Sequence, residues 1–84
     1  MKNGDYENPA ILAETGWRLY DICHCGGWLK YKYRHEKLTD LELQWYPTRG
    51  GFKISRINMM IIGFTRMEKM QEIINKILQD ANQQ

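Results

Sequence analysis

Apolar and polar positions along the chain change period twice, from a short helical stretch to strand-like alternation and back to a helical stripe. Asn8-Pro9 followed by Ala10-Ile11-Leu12-Ala13-Glu14 and then Gly16 supplies a capping residue, a proline at the first helical position and a closing glycine. The segment is so short that it predicts only a helical turn stabilised by tertiary packing. From Trp17 the period becomes two: Tyr20 and Ile22 alternate with polar or mixed neighbours. Beyond Gly26-Gly27, the run Leu29-Lys30-Tyr31-Lys32-Tyr33-Arg34 alternates between apolar and basic. Because paired glycines supply the positive φ angles of a tight turn, this pattern predicts a β-hairpin.

The loop Glu36 to Asp40 leads into a third strand, Leu41-Glu42-Leu43-Gln44-Trp45-Tyr46. Pro47-Thr48-Arg49-Gly50-Gly51 then turns the chain, and Phe52-Lys53-Ile54-Ser55 opens a fourth strand. The segment Ile57 to Ile62 either extends that strand or forms a short one of its own, since a brief apolar run has no decisive period. Thr65-Arg66-Met67-Glu68 fits a capping box, and Met67, Met70, Ile73, Ile74, Ile77 and Leu78 recur at helical spacing. A helix is therefore expected from about residue 66 to about residue 80. These elements predict an α+β fold: a four-stranded antiparallel meander with a C-terminal helix packed on one face and a short N-terminal helix, in a single domain over residues 1–84.

With the Gly26-Gly27 turn fixing register, alternation places Tyr20, Ile22, Leu29, Tyr31, Tyr33, Leu41, Leu43, Trp45, Phe52 and Ile54 on the face that meets the helix. The outer face is expected to collect Trp17, Leu19, Asp21, Cys23, Trp28, Lys30, Lys32, Arg34, Glu42, Gln44, Tyr46, Lys53 and Ser55. The methionines read as core filler beside the isoleucines.

Composition narrows the class without naming a function. Apolar residues at 43% and charged residues at 26% describe an ordinary folded domain, and the longest apolar stretch, Ile57 to Phe64, is interrupted by Asn58 and Gly63. It falls far short of the roughly 20 residues that span a bilayer. The polar start MKNGDYENPA carries no apolar leader, so the expected compartment is the cytoplasm and no membrane contact is expected. The net charge of +2 conceals a division: residues 17–56 carry eight cations against Asp21, Glu36, Asp40 and Glu42, an excess of +4 in the aromatic part of the chain.

Cys23-His24-Cys25 with His35 is the one constellation with zinc-type donors. In the predicted hairpin Cys23 lies opposite Lys30, and His35 lies about 16 Å further along at ~3.3 Å per residue, so no metal site is expected. The one-residue spacing would close a small strained ring, and the cysteines read as reduced. Thiol or metal function at Cys23 and Cys25 is a third and minor reading. Phosphate loops, dinucleotide fingerprints and nucleophile elbows are absent from the sequence, which argues against an enzyme; no catalytic residue or cofactor is assigned.

The leading expectation is a small non-enzymatic module that binds another protein, or a second copy of itself, through an aromatic and basic outer face and an edge strand. Trp17, Leu19, Trp28 and Tyr46 are its candidate contact residues, because tryptophan and tyrosine dominate binding hot spots. The blander reading of the tryptophans is burial beneath Ile11 and Leu12. The alternative function is nucleic-acid binding through Lys30, Lys32, Arg34, Arg49 and Lys53. Against it, Asp21 opposite Lys32 and Glu42 in the same row could simply pair these cations across strands.

Overall fold

A computed structural model describes residues 8–56 and 59–82. A helical turn α1 (Ala10–Glu14) precedes five strands: β1 (Trp17–Cys25), β2 (Trp28–His35), β3 (Leu41–Tyr46), β4 (Gly51–Arg56) and β5 (Met59–Arg66). A 3-10 turn at Met67–Lys69 then runs into α2 (Met70–Asn82). The sheet is a meander in the order β1-β2-β3-β4-β5 with every neighbour antiparallel. The α+β class and C-terminal helix are as expected, but the sheet has five strands rather than four.

The fifth strand escapes a periodicity argument because its register against β4 shifts twice, between Phe52 and Ile54 and between Ile54 and Ser55. Each shift inserts a residue and breaks the alternation that identifies a strand. Positions 57 and 58, part of the ambiguous segment, lie outside the described residues. The expected capping box does not form. Thr65 belongs to β5 and donates its hydroxyl to the Gly63 carbonyl at 2.9 Å, while Glu68 stands 3.6 Å from Arg66. The α-helix accordingly starts at Met70.

Two helices and one sheet face enclose the core. Leu12 of α1, Tyr33, Leu41, Leu43, Trp45, Phe52 and Ile54 of the sheet, and Met70 and Ile74 of α2 are buried together. Ile73, Ile77 and Leu78 continue the helical stripe at its rim. Of the methionines read as filler, Met70 is buried, whereas Met59, Met60 and Met67 are exposed.

The hairpin β1–β2 has the expected turn, with Gly26 at φ 58° and Gly27 at φ 84°. Asp21 pairs with Lys32 and Cys23 with Lys30, also as expected. Beyond Asp21, however, the register slips: Leu19 pairs with Tyr33, so Tyr20 is an extra residue in a β-bulge. A one-residue slip reverses every side chain that follows it. Trp17 and Leu19, expected on the outer face, therefore share the face of Tyr33, and Tyr20, expected inside, turns outward. Trp17 is only 2% exposed and joins the core with Leu12, buried on the helix side of the sheet rather than under a cover on the outer face, where Trp28 stays half exposed.

His35 closes this end of the molecule. Its Nδ1 accepts from the backbone N–H groups of Lys37 and Leu38, both at 3.1 Å, which assigns the ring proton to Nε2 and makes that nitrogen the donor to the Thr15 carbonyl at 2.7 Å. Trp17 packs edge-on against the imidazole, with ring centroids 5.0 Å apart. A histidine used in this way fastens the end of α1 to the end of β2.

Candidate functional site

The outer face is built from short alternating segments of β2, β3, β4 and β5. Trp28 and Lys30 project from β2, Tyr46 from the end of β3, Lys53 from β4 and Phe64 from β5. Arg49 reaches the same place from the turn between β3 and β4. There Arg49 and Gly50 both donate their backbone N–H to the Tyr46 carbonyl, and Gly50 takes a positive φ of 69° that a side chain would resist. The next residue, Gly51, has no positive φ but lies under the Phe64 ring. A Cβ there would stand 2.7 Å from Phe64 Cε1 and 2.6 Å from the Thr65 carbonyl oxygen. The missing side chain thus lets Phe64 fold down beside Tyr46, edge to face, with centroids 5.9 Å apart.

Arg49 occupies the centre of this cluster. Its guanidinium carbon lies 4.3 Å from the Phe64 centroid, 4.6 Å from Trp28 and 5.7 Å from Tyr46. Lys30 and Lys53 approach the Tyr46 ring as well, their ammonium nitrogens 5.8 and 5.5 Å from its centroid. Three cations therefore converge on one tyrosine. Tyr46 is only 5% exposed under them, while Trp28 keeps 48% of its surface in solvent.

A second group lies further along the same face. The Tyr20 hydroxyl, brought outward by the bulge, donates to Glu42 Oε1 at 2.6 Å, and Gln44 donates to Glu42 Oε2 at 2.9 Å. Burial by itself would raise the Glu42 pKa, but these two hydrogen bonds with the nearby Lys32 and Arg34 outweigh it and hold the carboxyl below its usual value. Arg34 lies over the Tyr20 ring at 4.7 Å. The Tyr20 phenol is pushed up by burial, with the Glu42 hydrogen bond adding to the effect.

The cross-strand ion pairs anticipated for this face do not form. Among the described residues the salt bridges are Arg18–Glu36, Arg56–Asp40 and Arg66–Glu68, and none of them involves Lys30, Lys32, Arg34, Arg49 or Lys53. Asp21 accepts from the backbone N–H of Ile22 instead. Of the candidate contact residues, the structure gathers Trp28 and Tyr46 into one cluster and withdraws Trp17 and Leu19 from that face. Of the candidate nucleic-acid ligands, it draws Lys30, Arg49 and Lys53 together and leaves Lys32 and Arg34 beside Glu42.

Sequence reasoning missed Phe64. The usable signal was Gly50-Gly51 in a turn beside an apolar strand, since a glycine inside a sheet marks a place where something approaches closely. It also misjudged the cysteines. Cys23 is disulfide-bonded and no described cysteine is a free thiol, which overturns the expectation of reduced thiols. His35 pairs with Trp17 at the opposite end of the hairpin from Cys23, and no group of metal-ligating side chains occurs among the described residues. No described helix is long and apolar enough to cross a membrane.

No family model, curated protein or solved structure matches this chain. The case for function rests on the outer face itself.

Proposed function

We propose that the chain is a small non-enzymatic binding module and that a protein partner docks on the outer sheet face around Trp28, Tyr46, Arg49 and Phe64. The observation that carries this reading is the placement of Arg49 among three aromatic rings, one of them the half-exposed Trp28. Tryptophan, tyrosine and arginine are the residues that most often dominate the energy of a protein interface. Stacking also restrains a long side chain in advance, so that less conformational entropy is lost on docking.

Nucleic-acid binding is the competing reading, favoured by the absence, among the described residues, of salt bridges to the five cations. The use of the rings argues against it. Single-strand binders stack successive bases on open aromatic faces. Here the rings that keep surface already face a cation of the chain, Trp28 and Phe64 facing Arg49 and Tyr20 facing Arg34, and Tyr46 is buried. Two tryptophan-sized photo-crosslinkers test the proposal in cells of the source organism, one replacing Trp28 and a control replacing Lys76 on the exposed side of α2. A discrete protein adduct from position 28 alone, lost with Arg49→Glu, is the expected result. Adducts to nucleic acid, or equal adducts from both positions, would refute it.

A further inference from the structure

The three cations around Tyr46 raise a question that docking alone does not answer: what chemical group the face is built to meet. Lys30, Arg49 and Lys53 approach a single ring from three separate segments, and among the described residues no carboxylate forms a salt bridge with any of them. The one carboxylate in the neighbouring row, Glu42, is occupied by Tyr20 and Gln44. Like charges gathered in this way repel one another, and an anion placed among them removes that repulsion while gaining attraction to each.

The arginine geometry adds a second indication. A guanidinium carries its N–H donors in its own plane, along its edge, and its attraction to aromatic rings does not use those donors up as a carboxylate pair would. The edge is the part that bonds a carboxylate or phosphoryl group in a two-pronged manner. The Arg49 guanidinium carbon lies 4.6 Å from the Trp28 centroid and 4.3 Å from that of Phe64, and among the described residues its side chain forms no salt bridge, so no carboxylate competes for its donors.

Three aromatic rings around a cation also describe a cage for a quaternary ammonium ligand. The charge balance excludes that occupant. The protein's own guanidinium fills the cage, and two ammonium groups stand beside it.

Resting on the reading of this face as a protein-contact surface, we propose that Arg49, Lys30 and Lys53 form an anchor for a phosphorylated side chain of the partner. A phosphoryl group brings close to two negative charges and three strong acceptor oxygens, matching a fork and two point charges better than a single carboxylate does. Trp28, half exposed at the rim, is placed to cover the carbon skeleton that carries the phosphate.

Phenyl phosphate is the probe, with benzoate as the carboxylate of similar shape and single-stranded oligothymidylate as the nucleic-acid arm. Nitrogen-edited NMR follows the Trp28 indole and Arg49 Nε–H signals during titration. Phenyl phosphate should move both saturably and bind at least about tenfold tighter than benzoate. Arg49→Lys, which keeps the charge but loses the planar fork, and Lys30→Gln with Lys53→Gln should each abolish that preference while leaving the far-ultraviolet spectrum unchanged. Equal response to benzoate, or an unaltered response in either variant, overturns the anchor. Oligothymidylate binding that depends on Lys32 and Arg34 and outcompetes phenyl phosphate assigns the face to nucleic acid and also overturns it. If the position-28 crosslink to protein survives while the phosphate preference fails, the anchor falls and the docking face stands.

Discussion

Trp17 and Trp28 sit eleven residues apart in one hairpin, and the bulge at Tyr20 sends them to opposite faces. Truncating each in turn tests that assignment. Trp17 is 2% exposed and packs with Leu12 and the sheet core. A tryptophan buries about 200–250 Å2, which at ~25 cal/mol per Å2 sets an upper bound of about 5–6 kcal/mol. Measured truncations of large aromatic residues cluster at about 3–5 kcal/mol. Trp17→Ala should therefore cost at least about 3 kcal/mol, a large part of the roughly 4–12 kcal/mol expected for a chain of this length.

Trp17→Phe separates packing from polarity. The Trp17 indole nitrogen is buried with no hydrogen-bond partner among the described residues, and hiding such a group costs about 1–3 kcal/mol. Removing it offsets much of the lost contact, so the net change should stay within about 1 kcal/mol. Trp28→Ser removes partial burial and the stack on Arg49, worth about 1 kcal/mol. Urea unfolding followed by circular dichroism at constant m-value reads all three. A Trp17→Ala variant within 1 kcal/mol of wild type, or a Trp28→Ser variant losing 3 kcal/mol, would refute the bulge-based assignment of faces.

Three further outcomes follow from particular contacts. Gly51→Ala should lower stability by about 1–3 kcal/mol through overpacking against Phe64 and the Thr65 carbonyl, visible as a thermal midpoint lower by several degrees. The Tyr33 phenol is pushed up to about 12 from 10.0, chiefly by burial and then by the Tyr31 charge. The folded protein holds this proton more tightly than the unfolded chain, so its contribution is complete below pH 10 and is lost as the pH rises toward 12. Tyr33→Phe should remove about 2 kcal/mol of that alkaline loss in pH-dependent urea titrations. Alkylation without reductant should leave Cys23 unmodified by mass spectrometry, and prior reduction should expose it; modification without reductant contradicts the bonded state.

How far the sequence could be read depended on whether the backbone stayed regular. From Asp21 through Ile54 the faces follow alternation from the Gly26-Gly27 turn: the pairs Asp21–Lys32 and Cys23–Lys30 stand where the pattern puts them, and Leu43 and Ile54, expected on one face, pair with each other. At both sheet edges the regularity ends. The extra Tyr20 in β1 is invisible to a period-two count because Tyr20 is apolar enough to fit either face, and the two shifts in β5 blur its period altogether. Bulges concentrate at sheet edges, so a pattern argument fails where the sheet meets solvent and holds at its centre. The face chemistry was legible in part for the same reason: Trp28, Tyr46, Lys30 and Lys53 lie on regular strands, whereas Phe64 lies beyond a bulge and Arg49 is placed by a turn.

The bulge also explains why Lys32 and Arg34 lack the carboxylate expected to pair with them. Once Tyr20 faces outward, its hydroxyl reaches Glu42 at 2.6 Å, its ring lies under Arg34, and Gln44 takes the other carboxylate oxygen. The acid is thus held by neutral donors, and the cations keep their charge without a direct pair. Tyr20→Phe retains the ring and removes only the donor, so stability should change by no more than about 1–2 kcal/mol. The Glu42 carboxyl, now held below its ordinary 4.5 despite burial, should titrate at higher pH in the variant. In the wild type a depressed carboxyl pKa contributes stability above the unfolded value and loses it as the pH falls through the folded one. The variant should therefore show a shallower acid loss, read by carbon-detected NMR of the Glu42 side chain beside urea titrations from neutral to acid pH. An unchanged Glu42 titration would mean that Lys32 and Arg34, rather than Tyr20, hold the charge, and the cations along this row would then be paired after all.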